Sequence, residues 1–342
     1  MVHGRFVNSA ERMIKGDIML EVFKTHTGKI YVDREQQLEF LTVGDYGKEN
    51  NIKANFLGLT KEINGVKHTD VDLTKKWVAT ISTQKGCLMS CKFCDCHKYG
   101  YHGNASRDDL YYQIKTILEN ESCSHTDRFN VHFARMGEPT FNDNVLKFAS
   151  SDLIPLVHTY LQAKTIHPVV STMLPKVNAS FETFIREWCY IKNCMYHGEA
   201  GLQFSINSTD DEQRSDQFNN ASLSLKNISK LADKLPNPVG RKYTLNFAVT
   251  AETILDANVL TDLFDKDKFI VKITPIHETK NAIQNGFNVG TSYDNYDVYK
   301  QFEQPLLDKG WDVIVFIPSK EEDSDRITCG NALITLEGEQ YK

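Results

Sequence analysis

Three thiols lie within eight residues, at Cys87, Cys91 and Cys94, in the spacing C-x₃-C-x₂-C. Thiolates favour iron–sulfur clusters, zinc or cuprous copper over hard cations. A structural zinc site wants four protein ligands, usually from two short pairs set apart by a longer stretch. This chain has one triplet and no second pair beside it, which leaves one metal corner open to a ligand that is not protein. That arrangement suits a 4Fe-4S cluster used in chemistry rather than as a scaffold. Two plainer readings stay open from the triplet alone: a zinc knuckle completed by Cys96 or His97, and three unconnected buried cysteines.

Other residues could serve such a centre. Gly137 and Glu138 precede Pro139. Glycine lets backbone approach a ligand closely, and a carboxylate offers a partner to an ammonium group. In isolation the same residues make a tight turn with a surface glutamate. Ser171, Ser205 and Asn207 could hydrogen-bond a carboxylate or a ribose, and His277 could contact a base; singly, each is a polar residue at the end of a strand-like run. Cys329, taken alone, reads as a small buried hydrophobe.

The segments that must position these residues alternate in type. Residues 77–83, 129–134, 168–172, 202–206, 243–249 and 269–274 are apolar and β-branched, as buried strands are. Helical stripes lie between them. Ser106 and Asp109 form a capping box ahead of Leu110, Ile114, Ile117 and Leu118. Ser180 precedes Phe181, Phe184, Ile185 and Trp188, and Leu225, Ile228, Leu231, Ala232 and Leu235 make another stripe. Asp256 precedes Val259, Leu260, Leu263 and Phe264. The alternation predicts an α/β fold, a partial (β/α)6 barrel over residues 76–285, whose functional groups gather where strands end. The cysteines, Glu138, Ser171, Asn207 and His277 all fall at such ends.

Residues 1–75 differ. Short β-type runs at 19–23, 29–32, 37–43 and 54–59 predict a small antiparallel meander packed across one end of the main domain. Residues 286–342 read as a helix over 294–310 interrupted by Pro305, a strand over 311–317, and an acidic loop at 320–325 leading to Cys329.

Composition narrows the class. The chain has 342 residues, 41% hydrophobic and 25% charged, ordinary for a soluble globular protein. No apolar run approaches the length of a membrane span and the N-terminus has no hydrophobic signal region, so a cytoplasmic protein with no membrane partner is expected. Eight cysteines with three clustered do not make a disulfide framework in a chain this long. A net charge of −6 gives no global attraction to nucleic acid, so RNA binding needs a local basic patch.

Residues 83–87, 136–139, 170–172, 204–207 with 211–214, and 328–333 together resemble, in order and wording, the RlmN/Cfr family of radical S-adenosylmethionine (SAM) adenine methyltransferases. The resemblance implies a 4Fe-4S cluster on Cys87, Cys91 and Cys94. It implies SAM held by Gly137 and Glu138 at its amino group, by Ser171, Ser205 and Asn207 at its carboxylate and ribose, and by His277 at its adenine. Cys329 takes the place of the family's methyl-carrying cysteine. Ribosomal or transfer RNA is the implied substrate and a flavodoxin-type protein the implied electron donor. The chain departs from the pattern at three points. The family's second essential cysteine is here Thr80, the expected helical N-terminal domain is β-rich, and Asn207 and His277 stand where a histidine and an asparagine are expected. Thr80 weighs most, because a hydroxyl cannot replace a thiol in the disulfide-forming release step. Two other readings remain: a radical SAM enzyme abstracting hydrogen from a different substrate, and a non-catalytic metal-binding protein associated with RNA.

Overall fold

The computed structural model describes residues 11–15, 18–45, 72–289, 293, 296–318 and 320–336. The β-type run at 54–59 lies outside them. Four antiparallel strands open the chain: β1 (Glu11–Lys15), β2 (Ile18–Lys24), β3 (Gly28–Asp33) and β4 (Leu38–Asp45). β5 (Asp72–Ile81) is followed by a small hairpin of β6 (Gln84–Gly86) and β7 (Tyr101–Asn104), which brackets the cysteine loop. The remaining strands are β8 (His125–Phe133), β9 (Gln162–Thr172), β10 (Gly201–Ser205), β11 (Tyr243–Val249), β12 (Phe269–Pro275) and β13 (Val313–Val315). One eleven-stranded sheet runs in the order β1-β2-β3-β4-β5-β8-β9-β10-β11-β12-β13. From β5 onward every pairing is parallel.

Alternation along each strand divides the two faces. Trp77, Ala79 and Ile81 of β5, Phe129, Val131 and Phe133 of β8, and Phe269, Val271 and Ile273 of β12 are fully buried in one apolar core. That core also takes the inner stripes of α1 (Arg107–Asn120), α2 (Asn144–Ser151), α3 (Leu153–Tyr160) and α4 (Phe181–Tyr190), and, beyond the polar α5 (Asp211–Gln217), which buries Arg214 and Gln217 instead, those of α6 (Leu225–Lys234) and α7 (Ala257–Leu263). The expected capping box on α1 is present in both directions. Asp256 caps α7 through Asn258 N. Ser180 stands at the start of α4 without capping it; its N and Oγ donate to Asn178 Oδ1 instead.

Three elements differ from expectation. The meander does not pack across an end. β4 pairs with β5, Leu41 opposite Thr80 and Val43 opposite Val78, so the meander extends the barrel sheet. The first barrel strand would otherwise present an open edge of unpaired N–H and C=O groups. Pro305 lies inside α9 (Asp297–Asp308), after the short α8 (Lys280–Gln284), and does not end it. Tyr299, Phe302 and Leu306 bury one stripe on both sides of the proline, and that packing outweighs the one hydrogen bond proline cannot donate. The acidic stretch at 320–325 is largely helical, α10 (Lys320–Ser324), because the Asp323 and Asp325 carboxylates are buried with partners on the chain. β13 joins as a further parallel strand, shorter than the run expected over 311–317.

Candidate active site

The cysteine loop starts where backbone space is tightest. Gly86 has φ +83°, and a Cβ there would stand 1.8 Å from Gly100 O. Only glycine closes this hairpin, and Cys87 N then donates to Gly100 O at 3.0 Å. Further on, the loop is held by its main chain. Thr279 Oγ1 donates to Phe93 O at 2.9 Å and Asn281 Nδ2 to Cys91 O at 3.1 Å, both from the start of α8. Asp95 Oδ1 and Oδ2 accept from Asn281 N and Lys280 N. Fixing the carbonyls from behind leaves the thiols their own side of the loop.

Those thiols feel one another. Burial pushes the Cys87 thiol up to about 12, and the charge of Cys94 adds to it. Cys91 is raised well above its ordinary value by burial, then by Cys94 and Cys87. Mutual repulsion of gathered thiolates is what bound iron relieves, so the donor set fits a soft metal centre. Among the described residues no three His, Cys, Asp or Glu side chains are grouped to hold a single metal ion. A 4Fe-4S cluster distributes its thiolates over different irons and needs no single point of convergence. Cys96 is only 2% exposed and donates to Arg135 O at 3.3 Å.

Gly137 and Glu138 lie beside this loop. Gly137 has φ +102°, and a Cβ would meet Gln84 Cγ at 2.5 Å and Gln84 N at 2.8 Å. Gln84 Oε1 accepts from Glu138 N at 3.1 Å and from Leu88 N at 3.3 Å, joining the two segments. Glu138 is buried, with Oε1 accepting from Thr140 N and Thr140 Oγ1 and Oε2 from Met173 N at 2.9 Å. Burial raises its pKa and these hydrogen bonds oppose the rise. A carboxylate has about four acceptor positions and Thr172 also hydrogen-bonds this one, so an ammonium group would share or displace one of these donors.

Ser171 and Ser205 end β9 and β10, half-buried on the face opposite the helices; among the described residues their hydroxyls have no hydrogen-bond partner. Asn207 holds a left-handed conformation, φ +61°, and its Oδ1 accepts from Ala248 N. Its buried Nδ2 has no partner, nor has Asn246 Oδ1 on the neighbouring strand. Unpaired buried amide atoms cost free energy that a polar ligand would recover. The residues present therefore fit a ligand carrying both an ammonium and a hydrogen-bonding polar end, as SAM does. His277 follows the end of β12. Its Nδ1 lies 2.8 Å from Tyr293 Oη and 3.5 Å from Asp323 Oδ1. Burial lowers its pKa and Asp323 opposes that.

Cys329 joins the same mouth from the far end of the chain. Gly330 has φ +83°, and its Cβ position lies 3.5 Å from Cys94 Cα and Sγ. Asp95 N donates to Gly330 O at 2.8 Å. The Cys329 thiol is open to solvent yet crowded by protein, as a group lining a concavity is; desolvation pushes it up to about 11, with Cys94 adding and Arg135 and Lys272 opposing.

The residues that lock this loop are ones that spacing arguments did not single out. Arg135 Nε donates to Glu39 Oε1 at 2.8 Å, and its guanidinium also donates to the carbonyls of Thr328, Arg326 and Asn331. Glu39 accepts from Leu333 N and Ile334 N as well. Asp323 accepts from Thr328 Oγ1 at 2.6 Å. Arg214 donates to the carbonyls of Ser205, Ile206, Met173 and Leu223, tying the ends of β9 and β10 together. One signal for Glu39 was visible: it is an acid between Leu38 and Phe40, ahead of Leu41 and Val43, in a mostly apolar run.

No protein-family model matches the chain. A solved structure, a radical SAM methyltransferase from Sphaerobacter thermophilus, superposes with a TM-score of 0.56 over 96% of this chain and 81% of that one, at 15% identity. The chain therefore shares that neighbour's fold, a parallel sheet curved into a partial barrel. In sequence, the chain is 23% identical over 269 residues to a protein of Heliobacterium modesticaldum named "Probable dual-specificity RNA methyltransferase RlmN". It is 22% identical over 238 residues to the dual-specificity RNA methyltransferase RlmN of Nautilia profundicola. Over these stretches the chain is similar in sequence to proteins named RlmN. The match takes in 76% of this chain and 63% of the Heliobacterium protein, so it spans less than two thirds of that relative's length. A shorter stretch is closer, 43% identical over 68 residues to the corresponding protein of Phocaeicola vulgatus. Thr80 lies between Leu41 of β4 and His132 of β8 in the sheet.

Proposed function

We propose that this chain is a radical SAM methyltransferase acting on adenine in ribosomal or transfer RNA. In this reading Cys87, Cys91 and Cys94 hold a 4Fe-4S cluster, Glu138 takes the ammonium of SAM, and Ser171, Ser205 and Asn207 take its carboxylate and ribose. Cys329 carries the methyl group. The cluster, when bound, supplies the electron for SAM cleavage. One observation carries the reading: Gly330 packs on Cys94, so the chain places Cys329 at the mouth of the cysteine loop.

The chain's own groups divide the work. Glu138 and Asn207 orient the two polar ends of SAM, and the surrounding apolar side chains of Met89, Met173 and Phe218 exclude water. His277 takes the adenine of SAM, and Asp323 holds Thr328 beside Cys329. Release of a substrate joined through Cys329 needs a second thiol. Thr80 cannot supply one, and Cys96 is buried against Arg135, so an external small thiol would attack the Cys329 sulfur. The S–C bond breaks with its electron pair on the carbon, which takes a proton, and a second thiol reduces the mixed disulfide left on Cys329. The protein should be brown when prepared anaerobically, form deoxyadenosine from SAM with reductant, and methylate RNA only with added thiol. A colourless protein that leaves SAM intact would contradict the reading. The absence of a thiol at Thr80 favours one second reading, in which the same SAM site abstracts hydrogen from a different substrate. A flavodoxin-type donor and a cytoplasmic setting belong to the main reading; no described helix is long and apolar enough to cross a membrane.

A further inference from the structure

The concave face of the barrel sheet, below the site just described, gathers four cations, Lys76, Arg128, Arg241 and Lys272, in a chain of net charge −6. Strand alternation puts Lys76 of β5, Arg128 and His132 of β8, His167 of β9 and Lys272 of β12 on the face opposite the helical core. Arg241 joins them from the start of β11, its Nη1 3.4 Å from the Cβ position of Gly201, where a side chain would displace it. The charges act on one another. His132 is held down at about 3, first by burial, then by Lys272, Arg241, Lys76 and Arg128. Burial draws Lys272 down to about 8, and Arg241 and Lys76 push the same way while Cys329 opposes.

Little within the protein balances them. Glu199 acts on Arg128, Arg241 and His167, with its Oε2 3.2 Å from His167 Nδ1. Among the described residues Lys76 and Lys272 pair with no carboxylate. Gathering like charges in a partly desolvated concavity is costly, and the cost is offset when a ligand brings the counter-charge. Beside Lys272, the same face of β13 and its continuation presents Ile314, 49% exposed, and Phe316, 43% exposed. Lys272 Nζ lies 5.6 Å from the Phe316 ring centroid. A basic groove with an exposed aromatic is the combination that binds nucleotide units, the cations taking phosphate and the ring stacking a base.

We infer that this face is a nucleotide subsite in which Lys76, Arg241 and Lys272 hold a phosphate and Phe316 stacks the attached or adjacent base. The inference rests on the RNA reading above and names the part of the RNA that enters the barrel. A phosphate could reach it from a free nucleotide or from an RNA chain, and the test separates the two. Adenosine, adenosine 5′-monophosphate and a short single-stranded RNA are titrated onto the anaerobically reconstituted protein. The monophosphate should bind at least about tenfold more tightly than adenosine. Lys76→Gln and Lys272→Gln should each weaken the monophosphate and the RNA by about tenfold and lower the salt slope for RNA by about one. Lys272→Arg should restore binding, and Phe316→Ala should weaken RNA while leaving inorganic phosphate unchanged. Iron content and melting temperature of each variant show that it is folded. RNA binding tighter than monophosphate assigns the site to an RNA chain; equal affinities assign it to a free nucleotide. Adenosine binding as tightly as its monophosphate, or a Lys76→Gln/Lys272→Gln double variant that binds normally, would overturn the subsite. The predicted nucleotide pattern without SAM cleavage would leave the subsite standing and remove the methyltransferase reading; SAM cleavage without the pattern would do the reverse.

Discussion

Glu138 does two jobs at once, and they can be separated. It accepts from Thr140 and Met173, which fixes the turn, and in the proposed reading its charge takes the ammonium of SAM. Glu138→Gln keeps an acceptor for the turn and removes the charge. SAM affinity should fall about ten- to a hundredfold, since a hydrogen bond to a charged group is worth roughly 1.5–3 kcal/mol, while iron content stays normal. The pH dependence follows from the raised pKa. A carboxylate whose folded pKa lies above its unfolded value destabilises the fold as pH rises through that value and it ionises. SAM binding, which uses the ionised form, should therefore weaken as pH falls through a range above that of ordinary carboxylates. Titration of SAM binding against pH checks this, and an identical profile in Glu138→Gln would assign the dependence to another group. The cysteines give a sharper test of the metal centre. Alanine at Cys87, Cys91 or Cys94 should abolish iron loading. Alanine at Cys96, Cys123, Cys189 or Cys194 should preserve it, as iron analysis will show; full loading of Cys91→Ala would contradict the ligand set.

Among the elements, the one with most effect on the site is the N-terminal meander, which has no catalytic residue of its own. β4 brings Glu39 under the Cys329 loop, where it meets Arg135 with neither side chain more than 1% exposed. Removing one partner of a buried pair leaves an uncompensated charge and costs about 3–5 kcal/mol. Glu39→Gln should lower the melting temperature markedly and speed proteolysis within residues 326–336 more than elsewhere. Uniform loosening of the whole chain would argue against a specific tie. This link was not legible in the sequence. The strands themselves were, because Trp77, Ala79 and Ile81 alternate and the stripe through Leu110, Ile114 and Ile117 repeats at helical spacing. The site's ends of strands were equally legible, since parallel architecture dictates where Glu138 and Asn207 must lie. Which edge β4 would cover depends on a pairing with β5 across residues 46–71, and local pattern carries no information on that. Pro305 shows the same limit from the other side, since burial of Tyr299 and Leu306 overrides a local helix-breaking signal.

For the molecule as a whole, charge is segregated. The net value of −6 hides a basic concave face, and composition alone pointed away from nucleic acid. His132 reports this. Its folded pKa of about 3 lies below the ordinary value of 6.5, so the unfolded chain binds a proton first as pH falls. Stability from this group is complete above pH 6.5 and is lost progressively toward about pH 3. Denaturant titrations across that window should show a steep fall for the native chain and a shallower one for His132→Gln; parallel curves would mean that other groups dominate acid unfolding. Bound phosphate should narrow the difference, because it would raise the pKa of His132.

The claim that Cys329 and the cysteine loop form one methyl-transfer site is tested most directly by mass spectrometry of the peptide containing Cys329. The reconstituted protein is incubated anaerobically with reductant and SAM labelled in its methyl group. The account predicts labelled methyl on Cys329, together with deoxyadenosine in solution. Deoxyadenosine with an unlabelled Cys329, and RNA modified just as well by Cys329→Ala, would contradict it.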